Sequence, residues 1–581
     1  MRSCGTILLA LAATAFGQSY DLSPLDPLFT QAAADVPPGL QVLIVQNGQQ
    51  LYWKQFGRWP RNNQVAIASG TKWYSGALIM SLVDSGLLSL DDKASKYVPY
   101  MAGEKAGITI RQLMSHTAGF PGEGATNGTC LSDPSTTLDL CARQLASLPL
   151  QISPGTGFIY AGADMQIAGR AAEVLTGRDW QTLFNERIAA PLGLTATDYQ
   201  YQGPTQNPRI SGGGRSTVGD YMKLLTMIYQ RGVYNGQRIL STRAIDAMLG
   251  DQTRGVSIID SPYQSYAHLD PQAPANRYGI GNWLLDVDSQ YRSLQNGSQG
   301  AFGWSPLIDA SRNLLVVVGV HNLLANFEPY YYRMTSILQS AIPPASLIPR
   351  GITSAASYES GPLAPGEIVA LFGSQLGPST LVSQTPSGNR YGDTLAGTQV
   401  LFNGRAAPLI YTSAGQVAAI VPFEIAGQAS VSVQATYNSV PTPAVPMPVA
   451  AAWPALWAAD ATGRGPGAVL NQDSTLNSAA NPAPVGSVIQ LYGTGGGLTV
   501  PPSQDGTVSC QIGDFAQPVS VTIGGVSAPA IWYSGPAPCE VAGVFQINVT
   551  IPAGVESGPA VPVVVWVGGN SSPSTVTVAI Q

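Results

Sequence analysis

The chain has 581 residues, which is too long for one ordinary domain and suggests roughly three or four. Charged residues make up 11% of it and the formal net charge is -6, so no basic surface is expected to attract nucleic acid or an anionic membrane. We therefore exclude nucleic acid as a main partner.

Residues 1–17 have the features of a secretory signal peptide. Arg2 supplies a positive charge, residues 7–16 are apolar, and the segment ends at the small residue Gly17. The apolar run is too short to span a bilayer, and no later stretch reaches ~18 uninterrupted apolar residues. We expect a secreted or periplasmic bacterial protein without a transmembrane segment.

Ser69 and Lys72 form the only SxxK spacing in the chain, at the head of a segment predicted to be helical. Residues three apart lie on one helix face, so the hydroxyl and the amine can come within hydrogen-bond reach. A lysine that is at least partly neutral can take the proton of the serine. The first helical turn also offers a backbone NH, so the Ser69 NH is a predicted oxyanion-hole donor.

Further landmarks surround this tetrad in a definite order. They are residues 86–92 (GLLSLDD), 110–120 (IRQLMSHTAGF), 154–160 (PGTGFIY), 191–194 (PLGL) and 213–220 (GGRSTVGD). Together they resemble the serine β-lactamase-like superfamily of class C β-lactamases, DD-peptidases and family VIII-type carboxylesterases, over roughly residues 25–340. The resemblance implies an α+β domain, an antiparallel sheet flanked by helices, which we place at residues 18–347.

The resemblance also assigns roles to individual residues. Ser69 corresponds to the acylated nucleophile, Lys72 to its activating partner and Tyr160 to the tyrosine of the YxN element. Lys72 and Tyr160 would then form the general base pair. His116, inside the LMSHTAGF landmark, is implied to be structural rather than catalytic.

The chain departs from the family pattern at two places. Gly162 stands where the YxN element has its asparagine, and residues 295–297 (Gln295, Asn296, Gly297) stand where the family has KTG or HxG. No lysine occurs after Lys223, so a shifted alignment cannot restore the usual cation. The strand can still supply a second oxyanion donor through the backbone NH of Ser298, because this does not depend on side-chain type.

These departures favour a neutral acyl substrate. We predict that Gln295, Asn296 and Gly297 bind the substrate. Gln295 can offer the substrate only a neutral hydrogen bond, whereas the usual lysine at this position would suit a carboxylate. We predict a hydrolase of small-molecule esters or amides that acts through an acyl-Ser69 intermediate. Two alternatives remain open. One is a β-lactamase or D-amino-acid peptidase acting on a cell-wall-like substrate with an atypical third motif, and the other is an inactive binding or adhesion protein.

Neither a cofactor nor a metal is implied. The histidines His116, His268 and His321 are widely separated and lack HExxH or CxxC companions. No GxSxG occurs, so an α/β-hydrolase nucleophile elbow is not supported.

Four cysteines remain after removal of the signal peptide: Cys130, Cys141, Cys510 and Cys539. An even number in an oxidising compartment indicates disulfides, although sequence alone permits three pairings. We predict Cys130 with Cys141 and Cys510 with Cys539, since these pairs keep each bridge within one proposed domain.

The chain changes character after residue 348. It has no further lysine or histidine, and short alternating apolar runs lie between turn residues, which is typical of antiparallel sandwich strands. Residues 365–373 (PGEIVALFG) are repeated as residues 485–493 (VGSVIQLYG). We predict two immunoglobulin-like sandwiches, 348–455 and 456–581. They resemble the IPT/TIG-type modules of secreted bacterial proteins, and we expect them to meet an extracellular or cell-surface ligand.

Overall fold

The computed structural model describes residues 20–59, 64–126, 129–253, 256–262, 277–287 and 293–581. The predicted signal peptide and His268 lie outside the described residues. The chain divides into two compact units, Tyr20–Ile342 and Pro343–Gln581. In the described part of the chain, none of the helices is both long enough and apolar enough to cross a membrane.

The described α-helices all belong to the first unit. They are α1 (Leu25–Asp35), α2 (Thr71–Asp84), α3 (Ile110–Met114), α4 (Glu123–Thr126), α5 (Leu138–Ser147), α6 (Gly162–Thr176), α7 (Trp180–Phe184), α8 (Ala190–Leu192), α9 (Val218–Tyr229), α10 (Thr242–Leu249) and α11 (Leu324–Ala341).

The same unit contains thirteen described strands. They are β1 (Gly39–Gln46), β2 (Gln49–Gly57), β3 (Val65–Ala66), β4 (Gly157–Ile159), β5 (Arg215–Ser216), β6 (Val233–Tyr234), β7 (Gln237–Arg238), β8 (Ser257–Asp260), β9 (Arg277–Tyr278), β10 (Trp283–Val287), β11 (Ser293–Gly297), β12 (Ser305–Asp309) and β13 (Leu314–Val320).

A seven-stranded antiparallel sheet organises the described part of this unit, in the order β2-β1-β13-β12-β11-β10-β9. Strand β1 is apolar on both faces because each face is covered. Leu40 and Val42 pack with α1 and α11, whereas Leu43 faces the cluster that contains α2 and α9. Successive side chains of a strand point to opposite faces, so this alternation creates two cores around one sheet.

Helix α2 is the central helix of the unit. Residues 71–82 are all buried, so this helix is enclosed on every side rather than amphipathic. Its backbone passes very close to the loop before β10, because a Cβ on Gly281 would lie 2.1 Å from the Lys72 carbonyl oxygen. The Lys72 side chain therefore starts from a buried backbone and lies inside the protein.

The strands of the second unit run from β14 to β38. They are β14 (Ser346–Ser354), β15 (Ile368–Ser374), β16 (Val382–Ser383), β17 (Thr398–Phe402), β18 (Arg405–Ala406), β19 (Leu409–Thr412), β20 (Gln416–Ile420), β21 (Ser430–Tyr437), β22 (Val440–Pro441), β23 (Val445–Pro448), β24 (Ala455–Leu456), β25 (Gly465–Pro466), β26 (Val469–Leu470), β27 (Val488–Thr494), β28 (Thr499–Val500), β29 (Val508–Ser509), β30 (Asp514–Phe515), β31 (Val519–Ile523), β32 (Val526–Ser527), β33 (Ile531–Pro536), β34 (Glu540–Val541), β35 (Val544–Thr550), β36 (Gly558–Val567), β37 (Asn570–Ser571) and β38 (Val576–Ile580).

These strands form two successive sandwiches. In the first, the sheet β14-β15-β20-β19-β16 shares a core with β18-β17-β21-β22 and β23. In the second, β24-β27-β35-β33 with β26 shares a core with β25-β38-β36-β31-β32 and β37. The two repeated sequences form β15 and β27. Strand β15 pairs with β14 and β20, and β27 pairs with β24 and β35, so each repeat is an interior strand of its sheet. The predicted fold class, an α+β domain followed by all-β sandwiches, is confirmed.

The domain bounds expected from the sequence stay a prediction. Strand β14 begins at Ser346 and β24 spans Ala455–Leu456, so residues 347 and 455 both lie within strands. Both predicted disulfides are present, Cys130–Cys141 with a Cα–Cα distance of 5.3 Å and Cys510–Cys539 with 3.9 Å.

Glu367 is a buried carboxyl group in the first sandwich. Its side chain is 1% exposed and its Oε2 accepts a hydrogen bond of 2.9 Å from the Ala364 NH. Burial raises the pKa of Glu367 from 4.5 to about 8, against the opposing effect of hydrogen bonds from Ala364 and Ser354. The folded protein therefore keeps a proton between these pH values that the unfolded chain releases.

We expect Glu367→Gln to remove part of the pH dependence of stability. A raised carboxyl pKa contributes full stability below pH 4.5 and loses it as the pH rises towards 8, by up to about 1.4 kcal/mol per pH unit. In melting curves measured from pH 5 to 9, the melting temperature of the variant should rise relative to that of the native protein as the pH increases. The exposed Glu359→Gln is the control, and an unchanged slope for Glu367→Gln would contradict the assignment.

Candidate active site

Ser69 lies in the 3-10 turn Ala68–Gly70 that leads into α2. Ala68 has a φ of 44°, a left-handed conformation that costs an alanine about 1 kcal/mol or more. Thr71 holds this turn in place, because its Oγ1 donates a 2.6 Å hydrogen bond to the Ala68 carbonyl oxygen. The strained turn presents the half-buried Ser69 to a cavity.

Lys72 lies one turn further along, with its side chain 1% exposed. Its Nζ is 3.1 Å from Ser69 Oγ and donates a 2.9 Å hydrogen bond to the Ser211 carbonyl oxygen. A carboxylate oxygen of Glu123 is 3.5 Å away. The structure therefore joins Ser69 and Lys72 as the i, i+3 spacing predicts, and it adds partners from distant parts of the chain.

Tyr160 follows β4 and is 7% exposed. Its ring stacks on Trp283, with centroids 5.3 Å and planes 26° apart. Lys72 Nζ lies over this ring, 4.4 Å from the centroid, while its hydrogen bonds go to other groups. Tyr160 thus meets Lys72 through its ring face, and the general base role of its hydroxyl stays a prediction.

The cavity beside Ser69 has a volume of about 440 Å³. Its wall combines polar and aromatic side chains. Among the lining residues are Ser69, Glu123, Tyr160, Tyr199, Tyr201, Arg209, Trp283 and Phe302. Such a pocket is large enough for a small acyl group and has more apolar than polar surface to receive it.

The strand predicted to bind substrate is β11, in the middle of the sheet. Gln295 donates a 2.8 Å hydrogen bond to Asp309, and Asn296 donates one of 2.8 Å to Asn282. Among the described residues, neither of these side chains nor Gly297 lines the cavity. Substrate binding by these three residues stays a prediction.

The segment directly after β11 does reach the nucleophile. Ser298 is 1% exposed and its Oγ donates a 3.0 Å hydrogen bond to the Ser69 carbonyl oxygen. A Cβ on Gly300 would lie 2.1 Å from the Ile67 carbonyl oxygen, so the two segments touch backbone to backbone. The predicted oxyanion donors, the NH groups of Ser69 and Ser298, therefore belong to adjoining segments, and their function stays a prediction.

Glu123 and Arg209 are site residues that the sequence analysis did not identify. Glu123, in the one-turn helix α4, accepts a 2.8 Å hydrogen bond from Arg209 through its second carboxylate oxygen. Arg209 precedes Ser211, whose carbonyl oxygen binds Lys72. These residues are 51 to 139 positions away from their partners. No short-range pattern marks them, and only their proximity to family landmarks could have drawn attention to them.

His116 and Asp164 form a buried pair outside the cavity lining, with Nδ1 and Oδ2 3.5 Å apart. Burial, with a contribution from the charge of Lys72, holds the pKa of His116 well below its ordinary value. Burial and the nearby Glu123 carboxylate raise the pKa of Asp164 well above its ordinary value. Burial therefore favours the uncharged form of each group, and this geometry supports the structural role implied for His116.

Within the ranges that the structure describes, no group of three or more His, Cys, Asp or Glu side chains is arranged to hold a metal ion. The chemistry available at this site is that of a hydroxyl, an amine, a phenol and backbone NH groups. Such a set can perform acyl transfer through a serine.

Known proteins resemble this chain in sequence and in fold. The family model described as Beta-lactamase matches residues 25–325, which is more than half of the chain. A curated relative, Protein flp of Staphylococcus aureus (strain MRSA252), is 24% identical over 314 residues, covering 50% of this chain and 61% of that protein. The chain thus spans less than two thirds of the length of this relative.

Two solved structures are also similar. A beta-lactamase candidate from Bacteroides dorei DSM 17855 has 31% sequence identity and a TM-score of 0.50, with 55% of this chain and 98% of that chain covered. EstCE1, described as a hydrolase with promiscuous acyltransferase activity, has 20% identity and a TM-score of 0.47, with coverage of 54% and 97%. The second likeness concerns the fold alone.

Proposed function

Because the chain belongs to the beta-lactamase family, whose model matches residues 25–325, we propose that it is a serine hydrolase that cleaves a neutral ester or amide through an acyl-Ser69 intermediate. The observation that carries this proposal is the 3.1 Å contact between Lys72 Nζ and Ser69 Oγ at the wall of a 440 Å³ cavity. A nucleophile with an amine at hydrogen-bond distance is the minimum that serine acylation needs.

The proposed reaction has two steps. In the first, Ser69 Oγ bonds to the acyl carbon while its proton passes to Lys72, with Tyr160 beside the amine. The NH groups of Ser69 and Ser298 hold the oxyanion, and the alcohol or amine leaves with the proton. In the second step, a water molecule gives a proton to Lys72 as its oxygen bonds to the acyl carbon. The bond between the acyl carbon and Ser69 Oγ then breaks, Oγ takes up that proton, and the carboxylic acid is released.

Two features support a neutral acyl group. The cation at the cavity wall, Arg209, is paired with Glu123 at 2.8 Å, so the pair contributes no net charge. The wall also carries several aromatic side chains, among them Tyr201 and Phe302, whose ring centroids are 5.7 Å apart. Apolar ester groups suit such a wall better than a carboxylate.

Arg209 also favours a second candidate function. A guanidinium with exposed surface at the cavity could bind the carboxylate of a β-lactam or a D-peptide if the substrate displaced Glu123. This activity would need the anion to compete with an ion pair that already exists, which is why we rank it second.

Intact-mass spectrometry with two probes tests these proposals. We expect a fluorophosphonate to add one adduct at Ser69 and p-nitrophenyl butyrate to be turned over, with little adduct from a penicillin. Rapid nitrocefin hydrolysis together with a stable penicillin adduct would favour the second candidate. If neither probe labels Ser69 and no ester is hydrolysed, the inactive binding protein becomes the better description.

We further propose that the protein works outside the cytoplasm, in the periplasm or after secretion. The disulfides Cys130–Cys141 and Cys510–Cys539 support this, because such bonds persist in oxidising compartments. The two sandwiches would then meet an extracellular or cell-surface ligand. Four free thiols in peptides mapped under non-reducing conditions would argue against export.

A further inference from the structure

Glu123 reaches the catalytic lysine from a separate part of the chain. Its NH donates a 3.0 Å hydrogen bond to the Tyr160 carbonyl oxygen, which anchors α4 beside the site. One carboxylate oxygen is 3.5 Å from Lys72 Nζ and the other accepts a 2.8 Å hydrogen bond from Arg209. The carboxylate therefore lies between two cations at the inner wall of the cavity.

The glycine at position 162 explains why there is room for this carboxylate. A Cβ on Gly162 would lie 2.8 Å from Ser211 Oγ and 3.1 Å from a carboxylate oxygen of Glu123. Ser211 Oγ is itself buried without a hydrogen bond among the described residues. Glu123 and Ser211 thus occupy the space into which a side chain at position 162 would extend. A side chain at position 162 and the Glu123 carboxylate would therefore compete for the same space.

Several ionisable groups lie near the Lys72–Glu123 pair. Burial favours the uncharged forms of His116 and Asp164. The other groups near the pair are Tyr160 and Arg209, and Asp260 lines the same cavity. Glu123 is the carboxylate that contacts the Lys72 amine in the described part of the site, at 3.5 Å.

We propose that Glu123 is a positioning residue for the Ser69–Lys72 pair, contacting Lys72 from the space into which a side chain at position 162 would extend. This inference rests on the proposed function. The carboxylate holds the lysine against Ser69 and places a negative charge 3.5 Å from the amine that must accept the Ser69 proton. The pH dependence of the reaction therefore reports on this charge.

The pH profile of Glu123→Gln tests this role. We expect the acidic limb of the kcat/KM profile for p-nitrophenyl butyrate to move to lower pH by about one unit or more, since an opposite charge within ~4–6 Å is removed. A residue that only supported the fold would lower activity without moving the profile. Glu173→Gln is the matched control, because Glu173 also pairs with an arginine, Arg170 at 3.0 Å, and does not line the cavity.

Exchange of the two side chains supplies a second test. Gly162→Asn alone should lower kcat, because the new side chain meets Glu123 and Ser211. Glu123→Ala alone should lower kcat about tenfold or more by loosening Lys72. The double variant should be more active than Glu123→Ala, since the asparagine can then contact Lys72. Two results together would overturn the inference. The double variant would be no more active than Glu123→Ala, and the pH profile of kcat/KM for Glu123→Gln would match that of the native protein.

Failure of this inference can be told apart from failure of the proposed function. Fluorophosphonate labelling of Ser69 in the native protein tests the hydrolase itself, and its absence would overturn both. Labelling combined with an unmoved Glu123→Gln profile would overturn the role of Glu123 alone. If Glu123→Gln does not fold, Glu123→Asp is the alternative, because its shorter side chain keeps the charge but moves it away from Lys72. The acidic limb of the kcat/KM profile should then move to lower pH by a smaller amount.

Discussion

Replacing Ser69 by alanine is expected to abolish ester hydrolysis, with kcat/KM for p-nitrophenyl butyrate falling at least ~10³-fold. The change removes the oxygen that forms the acyl bond and leaves the rest of the site in place. Lys72 keeps its 2.9 Å hydrogen bond to the Ser211 carbonyl oxygen, so the fold around α2 should persist. The fluorophosphonate adduct should disappear with the activity.

Ser147→Ala is the control for this variant, because Ser147 is an exposed serine at the end of α5 and does not line the cavity. Its kinetics and labelling should match those of the native protein. An alanine at position 69 that still hydrolyses the ester at a comparable rate would show that another group is the nucleophile. Melting temperatures measured for both variants separate loss of chemistry from loss of structure.

Replacing Lys72 by methionine is expected to lower kcat by about 10² to 10⁴-fold, the usual contribution of a positioned base. Methionine fills much of the same volume but cannot take a proton from Ser69. Lys72→Arg should be similarly inactive, because a guanidinium keeps its charge and cannot act as a base. If the arginine variant retained activity, Lys72 would act as a fixed cation instead.

Lys105→Met is a close control for Lys72→Met. Lys105 is 9% exposed, donates a 2.8 Å hydrogen bond to the Ala146 carbonyl oxygen and lies 5.9 Å from the ring centroid of Phe120. Both lysines are thus buried with a carbonyl partner and an aromatic neighbour, but only Lys72 lies beside Ser69. Both methionine variants should lose thermal stability, and only Lys72→Met should lose turnover.

Much of the fold could be read from local patterns. The alternation of apolar residues and the internal repeat predicted the sandwiches, and the repeats became the corresponding strands β15 and β27. The cysteine spacing led to the pairing Cys130–Cys141 and Cys510–Cys539 that the structure contains. The domain bounds expected from the change in composition stay a prediction.

The site was predicted only in part. Ser69 and Lys72 are three residues apart on a helical segment, so helix geometry alone brings their side chains together. The orientation of Gln295 depends on which face of β11 packs against Asp309. The direction of the Tyr160 ring depends on its stacking against Trp283. Neither can be deduced from the residues next to them.

Sequence therefore sufficed for the features that depend on neighbours along the chain, which are the sandwich strands and the pair Ser69 and Lys72. The α+β class followed from the resemblance to a known family. The contacts of Glu123 and Arg209 required the tertiary structure, because they join positions separated by 51 and 86 residues. Periodicity carries no information over such distances. The environment of Lys72, with Glu123 filling the space above Gly162, arises only when these segments pack together.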